Sequence, residues 1–329
     1  MKTAFLYTGP HRVHKAWAES INALFIEDKA ANTIPNISRF FKSWITLRKI
    51  PKGTNLVLCE SSSNTFSGVL WKIHNPHGKL VLIASDPKWS FLNNMNFLKR
   101  NFYIRCLSKY DLIISTSPLM KQQFPEKIQK NTTIVFPFPD PEKFSTKKAN
   151  INTKSIIYTG RLSKDKGADL VLEAFKIIKE QVKEAKMYFV GISSNQPKEG
   201  NLGEQLQTQN IPGVIYTGMV KDPETYMKNC SIFMSLARID AANISVIESM
   251  SMGIIPIVSE GVGNKYIVEK ISPELVVKDK EEASKLVLRI WKDKSKMREY
   301  SNKARIIAKE YTQKKSITLF RKSIDELSK

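Results

Sequence analysis

The segment Gly160-Arg161-Leu162-Ser163-Lys164-Asp165-Lys166-Gly167 sets two glycines around basic side chains suited to holding phosphate. It follows the apolar run Ser155–Thr159 and precedes an amphipathic stretch at 168–181. A Gly-bounded turn from strand to helix leaves backbone N–H groups open at a helix N-terminus, where anions are favoured. Arg161 offers a planar fork for two phosphate oxygens, and Lys166 adds a point charge. The same residues also fit an ordinary strand-to-helix turn with solvated cations. Further on, Asp240 and Glu248 stand eight residues apart, the first after the run Ser231–Ser235 and the second inside a helical stretch near 245–252. A loop acid at a strand end and an acid on the following helix can face one ligand, although acids at this spacing are common. No Asp-x-Asp and no histidine cluster has the spacing of a metal site.

The elements that would position these groups are short apolar runs alternating with amphipathic stretches. Thr3–Tyr7, Asn55–Cys59, Leu80–Ala84, Asp111–Ser115 and Thr133–Phe136 read as strands, with a first helix over about His14–Ile26. The alternation restarts at Ser155–Tyr158 and continues through Met187–Val190, Val214–Tyr216, Ser231–Ser235 and Ile254–Val258. From Lys280 onward the sequence is helical and charged. Such alternation predicts βαβ units with buried parallel sheets. Between the halves, Phe136–Lys154 carries Pro137, Pro139 and Pro141 and no apolar periodicity, the composition of a linker. The fold class is therefore α/β with two Rossmann-like domains, whose ligands are expected in a crevice at strand ends.

Composition bounds the partners. At 329 residues, 42% hydrophobic and 25% charged, the chain is a folded globular protein of two domains. Its net charge of +21, concentrated in the first 150 residues, favours anionic partners, or is simply a solvated basic surface. No helix-turn-helix, zinc or aromatic RNA-binding motif accompanies it, so nucleic acid is not expected as a partner. Cys59, Cys106 and Cys230 are far apart and read as buried free thiols. No signal peptide or spanning segment is apparent, which points to a cytoplasmic protein, at most peripheral at the inner face of the membrane. The stretch Ile37–Ile50 is amphipathic, with Phe40, Phe41, Trp44 and Ile45 on one face and Arg39, Lys42 and Lys49 on the other. It fits either an anionic membrane interface or packing on the N-terminal sheet. Trp89, Phe91, Phe97, Lys99 and Arg100 add aromatic and basic residues nearby in the chain.

In order and on the right elements, GRLSKDKG, MYFVG (187–191), VIYTGMV (214–220), TYMKNCSIFMSL (225–236) and IESMSMGIIPIVSEGVGNKYIVE resemble the donor half of glycosyltransferase family 4. The resemblance covers roughly Ile156 to Ile267. It implies the GT-B fold, with an acceptor-binding domain over 1–145, a nucleotide-sugar domain over 146–310 and a C-terminal helix at 311–329 packing back towards the N-terminal domain. It implies that Gly160, Arg161, Lys166, Gly218, Asn243, Ile244 and Ser245 approach the donor diphosphate, that Glu248 bonds the ribose, and that Asp240 contacts the donor sugar. Two departures stand out. Asp240 replaces the family's glutamate and is followed by Ala241-Ala242, and Ser85-Asp86 stands where the family carries His-Asp. Gly9 and His11 occupy the place of its Gly-rich acceptor loop.

The activity implied is retaining, metal-independent transfer of a sugar, hexosyl by analogy, from a nucleotide diphosphate to a glycan, lipid-linked or other hydroxyl acceptor, with no cofactor. The alternative is a degenerate relative that binds nucleotide sugar or glycan without turnover.

Overall fold

The computed structural model describes residues 1–29, 37–86, 92, 95–144, 148–192 and 202–327, leaving aside the side chains of residues 37–41 and 62. The expected Trp89 and Phe91 lie outside the described residues. The chain divides into two compact units, one of residues 1–137 with 314–329 and the other of residues 138–313.

Unit 1 holds strands β1 (Thr3–Tyr7), β2 (Leu24–Glu27), β3 (Leu56–Cys59), β4 (Lys79–Ala84), β5 (Leu112–Ser115) and β6 (Thr132–Ile134). They form one sheet in the order β2-β1-β3-β4-β5-β6, and every pairing is parallel. The helices are α1 (Arg12–Ser20), α2 (Ile37–Lys49), α3 (Thr65–His74), α4 (Phe97–Leu107), α5 (Pro118–Gln122) and α6 (Glu126–Gln129). The runs LVLC of β3 and LIIS of β5 are buried at every position, as sheets covered on both faces require. The helix expected over His14–Ile26 stops at Ser20. Asn22 takes a left-handed φ of 53°, and Leu24–Glu27 becomes a strand beside β1.

Unit 2 holds β7 (Ser155–Thr159), β8 (Lys186–Val190), β9 (Val214–Gly218), β10 (Ile232–Ser235), β11 (Ile255–Ser259) and β12 (Val276–Val277), again all parallel, in the order β12-β11-β10-β7-β8-β9. Its helices are α7 (Pro141–Phe144), α8 (Ala168–Gln181), α9 (Leu202–Thr208), α10 (Glu224–Met227), α11 (Ile244–Met252), α12 (Lys265–Val268), α13 (Lys280–Lys292) and α14 (Lys294–Ala308). The stretch that reads as a linker is partly built into this unit. Phe138 is fully buried and Phe144 nearly so, with α7 between the prolines and the undescribed residues 145–147.

A last helix, α15 (Gln313–Glu326), belongs almost wholly to unit 1. Phe320 stacks on Trp17 of α1 at 5.5 Å, and the Trp17 Nε1–H donates to Ser316 Oγ at 3.0 Å.

Candidate functional site

In unit 2 the chain runs from β7 to β8 and β9 on one side, then returns to lay β10, β11 and β12 on the other. The point where the order reverses lies between β7 and β10. Loops leaving the C-terminal ends of those two strands define the ligand position in open parallel sheets. The loop after β7 is Gly160–Gly167, and the loop after β10 carries Asp240 and Asn243. The fold therefore brings together the two segments that the sequence keeps far apart.

Lys166 Nζ lies 2.8 Å from Asp240 Oδ1, with the Asp240 side chain 8% exposed and that of Lys166 20%. Asp240 is held through its backbone as well. Its N–H donates to Gly261 O at 2.9 Å, and its carbonyl accepts from the Gly263 N–H at 2.8 Å. Arg161 is largely exposed and stands 3.9 Å from Asp165, which also accepts a short hydrogen bond from Ser163 Oγ. The buried Tyr158 hydroxyl donates to the Arg161 carbonyl at 2.5 Å, which fixes the start of the loop. Burial, followed by the carboxylates of Asp240 and Asp165, keeps that phenol protonated. Arg238 closes the other side with a fork of two 2.8 Å hydrogen bonds to Asp169.

Gly167 has φ +68° at the cap of α8, and a Cβ there would fall 1.9 Å from Leu236 O. Only glycine allows the loop after β7 to lie against the end of β10. Asn243 caps α11, its Oδ1 accepting the Ser245 N–H at 3.1 Å, while its carbonyl accepts from Asn264 Nδ2 at 2.7 Å. Ile244 and Ser245 form the first turn of that helix, and Glu248 sits half-buried one turn on. Gly218 ends β9 with φ +66° and open space where a Cβ would be.

Unit 1 places its expected residues less tightly. Gly9 is exposed in a bend after β1, with His11 capping α1 two residues on. Asp86 follows β4 directly before undescribed residues. Glu60, Asp28 and Asn64, which drew no attention in the sequence, are buried together at this end of the sheet. Asp28 and Glu60 each follow an apolar strand, β2 and β3, and Asn64 lies in the polar run 61–65. A polar residue closing an apolar strand is a signal for the first two, and nothing local singles out Asn64. Among the described residues no group of His, Cys, Asp or Glu is arranged to hold a metal ion. No described helix is long and apolar enough to cross a membrane. All three cysteines are free and buried.

Two parallel six-stranded sheets with helices define an α/β two-domain fold of the GT-B type. A family model described as Glycosyl transferases group 1 matches residues 140–306, half of the chain, and the chain belongs to this family. An uncharacterized glycosyltransferase of Haemophilus influenzae is 25% identical over 177 residues, which are 51% of this chain and 49% of that protein, so the chain spans about half the length of this curated relative. Among solved structures, Anabaena Alr3699/HepE in complex with UDP and glucose is similar with a TM-score of 0.82 and 13% identity, covering 99% of this chain and all of the other. The trehalose-6-phosphate synthase OtsA reaches a TM-score of 0.79 at 9% identity, covering 100% of this chain and 99% of that one. At these identities the structural likeness speaks for the fold alone.

Proposed function

We propose that the protein is a retaining, metal-independent glycosyltransferase that moves a sugar, a hexosyl group in the first instance, from a nucleotide diphosphate to a hydroxyl of a glycan or lipid-linked acceptor. The observation that carries this reading is the pairing of the Gly160–Gly167 loop with Asp240 at the reversal point of the unit 2 sheet. Arg161, Lys166 and the amides of Ile244 and Ser245 at the start of α11 would hold the diphosphate and meet the charge that builds on it as the sugar leaves. That positive charge stands where many transferases use a divalent ion. Glu248 would accept from the ribose hydroxyls, and Asp240 would contact the donor sugar. The bond from C1 to the diphosphate oxygen breaks, the bond from C1 to the acceptor oxygen forms, and the acceptor proton passes to the departing diphosphate. No side-chain base and no cofactor is then required.

The complex of Anabaena HepE with UDP and glucose makes UDP-glucose the first donor to try. A thermal-shift series with UDP, GDP, ADP and their sugars, followed by donor hydrolysis with and without EDTA, tests the reading. Stabilisation by a nucleotide diphosphate, EDTA-resistant turnover and retained anomeric configuration are expected. Arg161→Ala should weaken the diphosphate far more than the nucleoside. Equal loss of both, or activity abolished by EDTA and restored by magnesium, would overturn it. The second reading is a binder without turnover, favoured by the Lys166–Asp240 ion pair, which engages both side chains with each other. A chain that binds donor but never hydrolyses or transfers it would establish that reading. A cytoplasmic site at an anionic membrane surface is part of the same proposal, supported by the apolar and basic residues exposed along α4.

A further inference from the structure

The unit 1 sheet reverses its order between β1 and β3, so its own ligand position lies at the C-terminal ends of those two strands. The loops there are Thr8–His11 and Glu60–Asn64. Glu60 is 5% exposed and is the hub of a hydrogen-bonded cluster. Its Oε1 accepts from the His11 backbone N–H at 2.9 Å and faces His14 Nδ1 at 3.3 Å, while its Oε2 accepts from the Thr8 N–H at 3.2 Å. Behind it, Asn64 Nδ2 donates to Asp28 Oδ2 at 3.2 Å, and Thr46 Oγ1 donates to Asp28 Oδ1 at 3.0 Å. Burial works against the Glu60 charge, but the hydrogen bonds from His14, His11 and Thr8 outweigh it and hold its pKa below the usual carboxylate value.

The start of a helix ordinarily attracts an anion, because its first N–H groups have no partner within the helix. Here the protein's own carboxylate sits beside those groups. The Val13 N–H is met by His11 Nδ1 at 3.3 Å. A neutral imidazole that accepts at Nδ1 carries its proton on Nε2. Burial, followed by the charges of His14 and Arg12, lowers the His11 pKa to about 4, against a smaller pull from Glu60. The ring is therefore neutral near pH 7, although the residue as a whole is exposed. Its Nε2–H makes no hydrogen bond to any described residue.

We propose that Glu60 is a positioning residue that closes the start of α1 to anions and sets His11 as an outward Nε2–H donor, so that unit 1 takes its acceptor by an uncharged hydroxyl and not by a phosphate. This rests on the glycosyltransferase reading, and it narrows the acceptor to a neutral hydroxyl-bearing sugar or polyol at that loop. His11 donates to a lone pair of the acceptor oxygen and takes no proton from it.

The test is nitrogen-15 NMR of the full chain near pH 7, with the His11 ring signals assigned through His11→Asn and inorganic phosphate as the probe. In the wild type, His11 should show a protonated Nε2 and a bare Nδ1, and phosphate should leave the Thr8 and His11 amides unmoved. In Glu60→Ala, phosphate should shift both amides, and the His11 ring should populate both tautomers. Phosphate shifts at those amides in the wild type would overturn the proposal. So would a folded Glu60→Ala chain that ignores phosphate and keeps the tautomer. If Glu60→Ala fails to fold, Glu60→Gln keeps the shape with one accepting oxygen. It should speed hydrogen exchange at the Thr8 or His11 amide, and unchanged exchange at both would reject the role. With a panel of neutral glycosides and their phosphates as acceptors, Glu60→Gln should raise the KM for the neutral acceptor about tenfold. A chain that neither binds nor hydrolyses any donor would defeat the proposed function, and the histidine spectra would still decide this inference separately.

Discussion

The ammonium of Lys166 and the carboxylate of Asp240 meet at 2.8 Å in a largely buried pair, and under the proposed function each is a group that the donor would need. A phosphate arriving at Lys166 competes with Asp240 for the same charge. Asp240→Asn should therefore leave binding of the bare nucleotide diphosphate unchanged or tighter, while transfer falls sharply. Stripping one partner from a buried ion pair also costs stability, on the order of 1–3 kcal/mol. Calorimetric titration with UDP beside a turnover assay checks this. Weaker UDP binding with full turnover would reverse the assigned roles.

Glu248 sits half-buried one turn into α11, beyond the cap that Asn243 makes. If it accepts from the ribose, Glu248→Gln should weaken UDP by about 1.5–3 kcal/mol, the usual worth of a hydrogen bond to a charged group. Inorganic diphosphate, which has no ribose, should bind as before. A matching loss for inorganic diphosphate would place Glu248 elsewhere.

That the Gly160–Gly167 loop and Asp240 belong at strand ends of one sheet was legible in the sequence, because each lies in a short segment directly after an apolar run. A Gly-bounded basic loop and an acid at each end of a strand-to-helix passage can be read without knowing the tertiary structure. The unit 1 cluster could not be read that way. Thr8 and Glu60 are 52 residues apart and meet only because β1 and β3 pair in parallel, placing Leu6 beside Cys59. The stretch Ile37–Ile50 shows the same limit from the other direction. Its apolar face was the natural candidate for burial, yet Trp44 and Ile45 are exposed, while Ser43 is fully buried and Thr46 nearly so. Those two hydroxyls bond inward, Thr46 to Asp28 and Ser43 with Ser67, so buried polar partners decide which face of α2 turns in. Amphipathic periodicity carries no information about such partners.

Gly167 and Gly218 separate two costs that usually come together. Both have φ near +67°, at +68° and +66°, but only Gly167 would drive a Cβ into backbone, 1.9 Å from Leu236 O. Gly218→Ala should cost about 1 kcal/mol, the strain of a left-handed alanine. Gly167→Ala should cost several times more and misplace the Arg161–Lys166 loop, so nucleotide binding falls with stability. Urea unfolding of both variants measures the difference, and equal costs would mean that the loop can withdraw from β10 freely.

Helix α4 presents Phe97, Leu98 and Phe102 at 75%, 80% and 52% exposure, together with Lys99 and Arg105 and without an acidic residue in the helix. Apolar side chains beside cations suit an anionic bilayer surface. The chain should co-sediment with vesicles containing phosphatidylglycerol more than with phosphatidylcholine alone. Leu98→Glu with Phe102→Glu should abolish that difference without altering UDP binding. Equal sedimentation of wild type and variant would remove α4 from the membrane reading.

The last prediction concerns pH and the α1 terminus. His11 has a folded pKa of about 4 against 6.5 for a free imidazole. Between those values the unfolded chain binds a proton at this site that the folded chain refuses. Stability must then rise with pH across that window, and it is lost as pH falls from about 6.5 towards 4. Glu60 acts in the same direction lower down, since its depressed pKa stabilises the fold above 4.5 and the benefit fades as the carboxyl protonates. Unfolding midpoints should therefore hold steady from pH 8 to 7 and decline below about 6.5. His11→Asn keeps a side chain able to cap α1 but cannot titrate, so its midpoint should fall less steeply between pH 6.5 and 5. Because the ring is partly exposed, the contrast in slope is the informative quantity, and its absolute size will be screened. Parallel curves for the two chains would show that His11 titrates normally and that the protein's acid sensitivity arises at other groups.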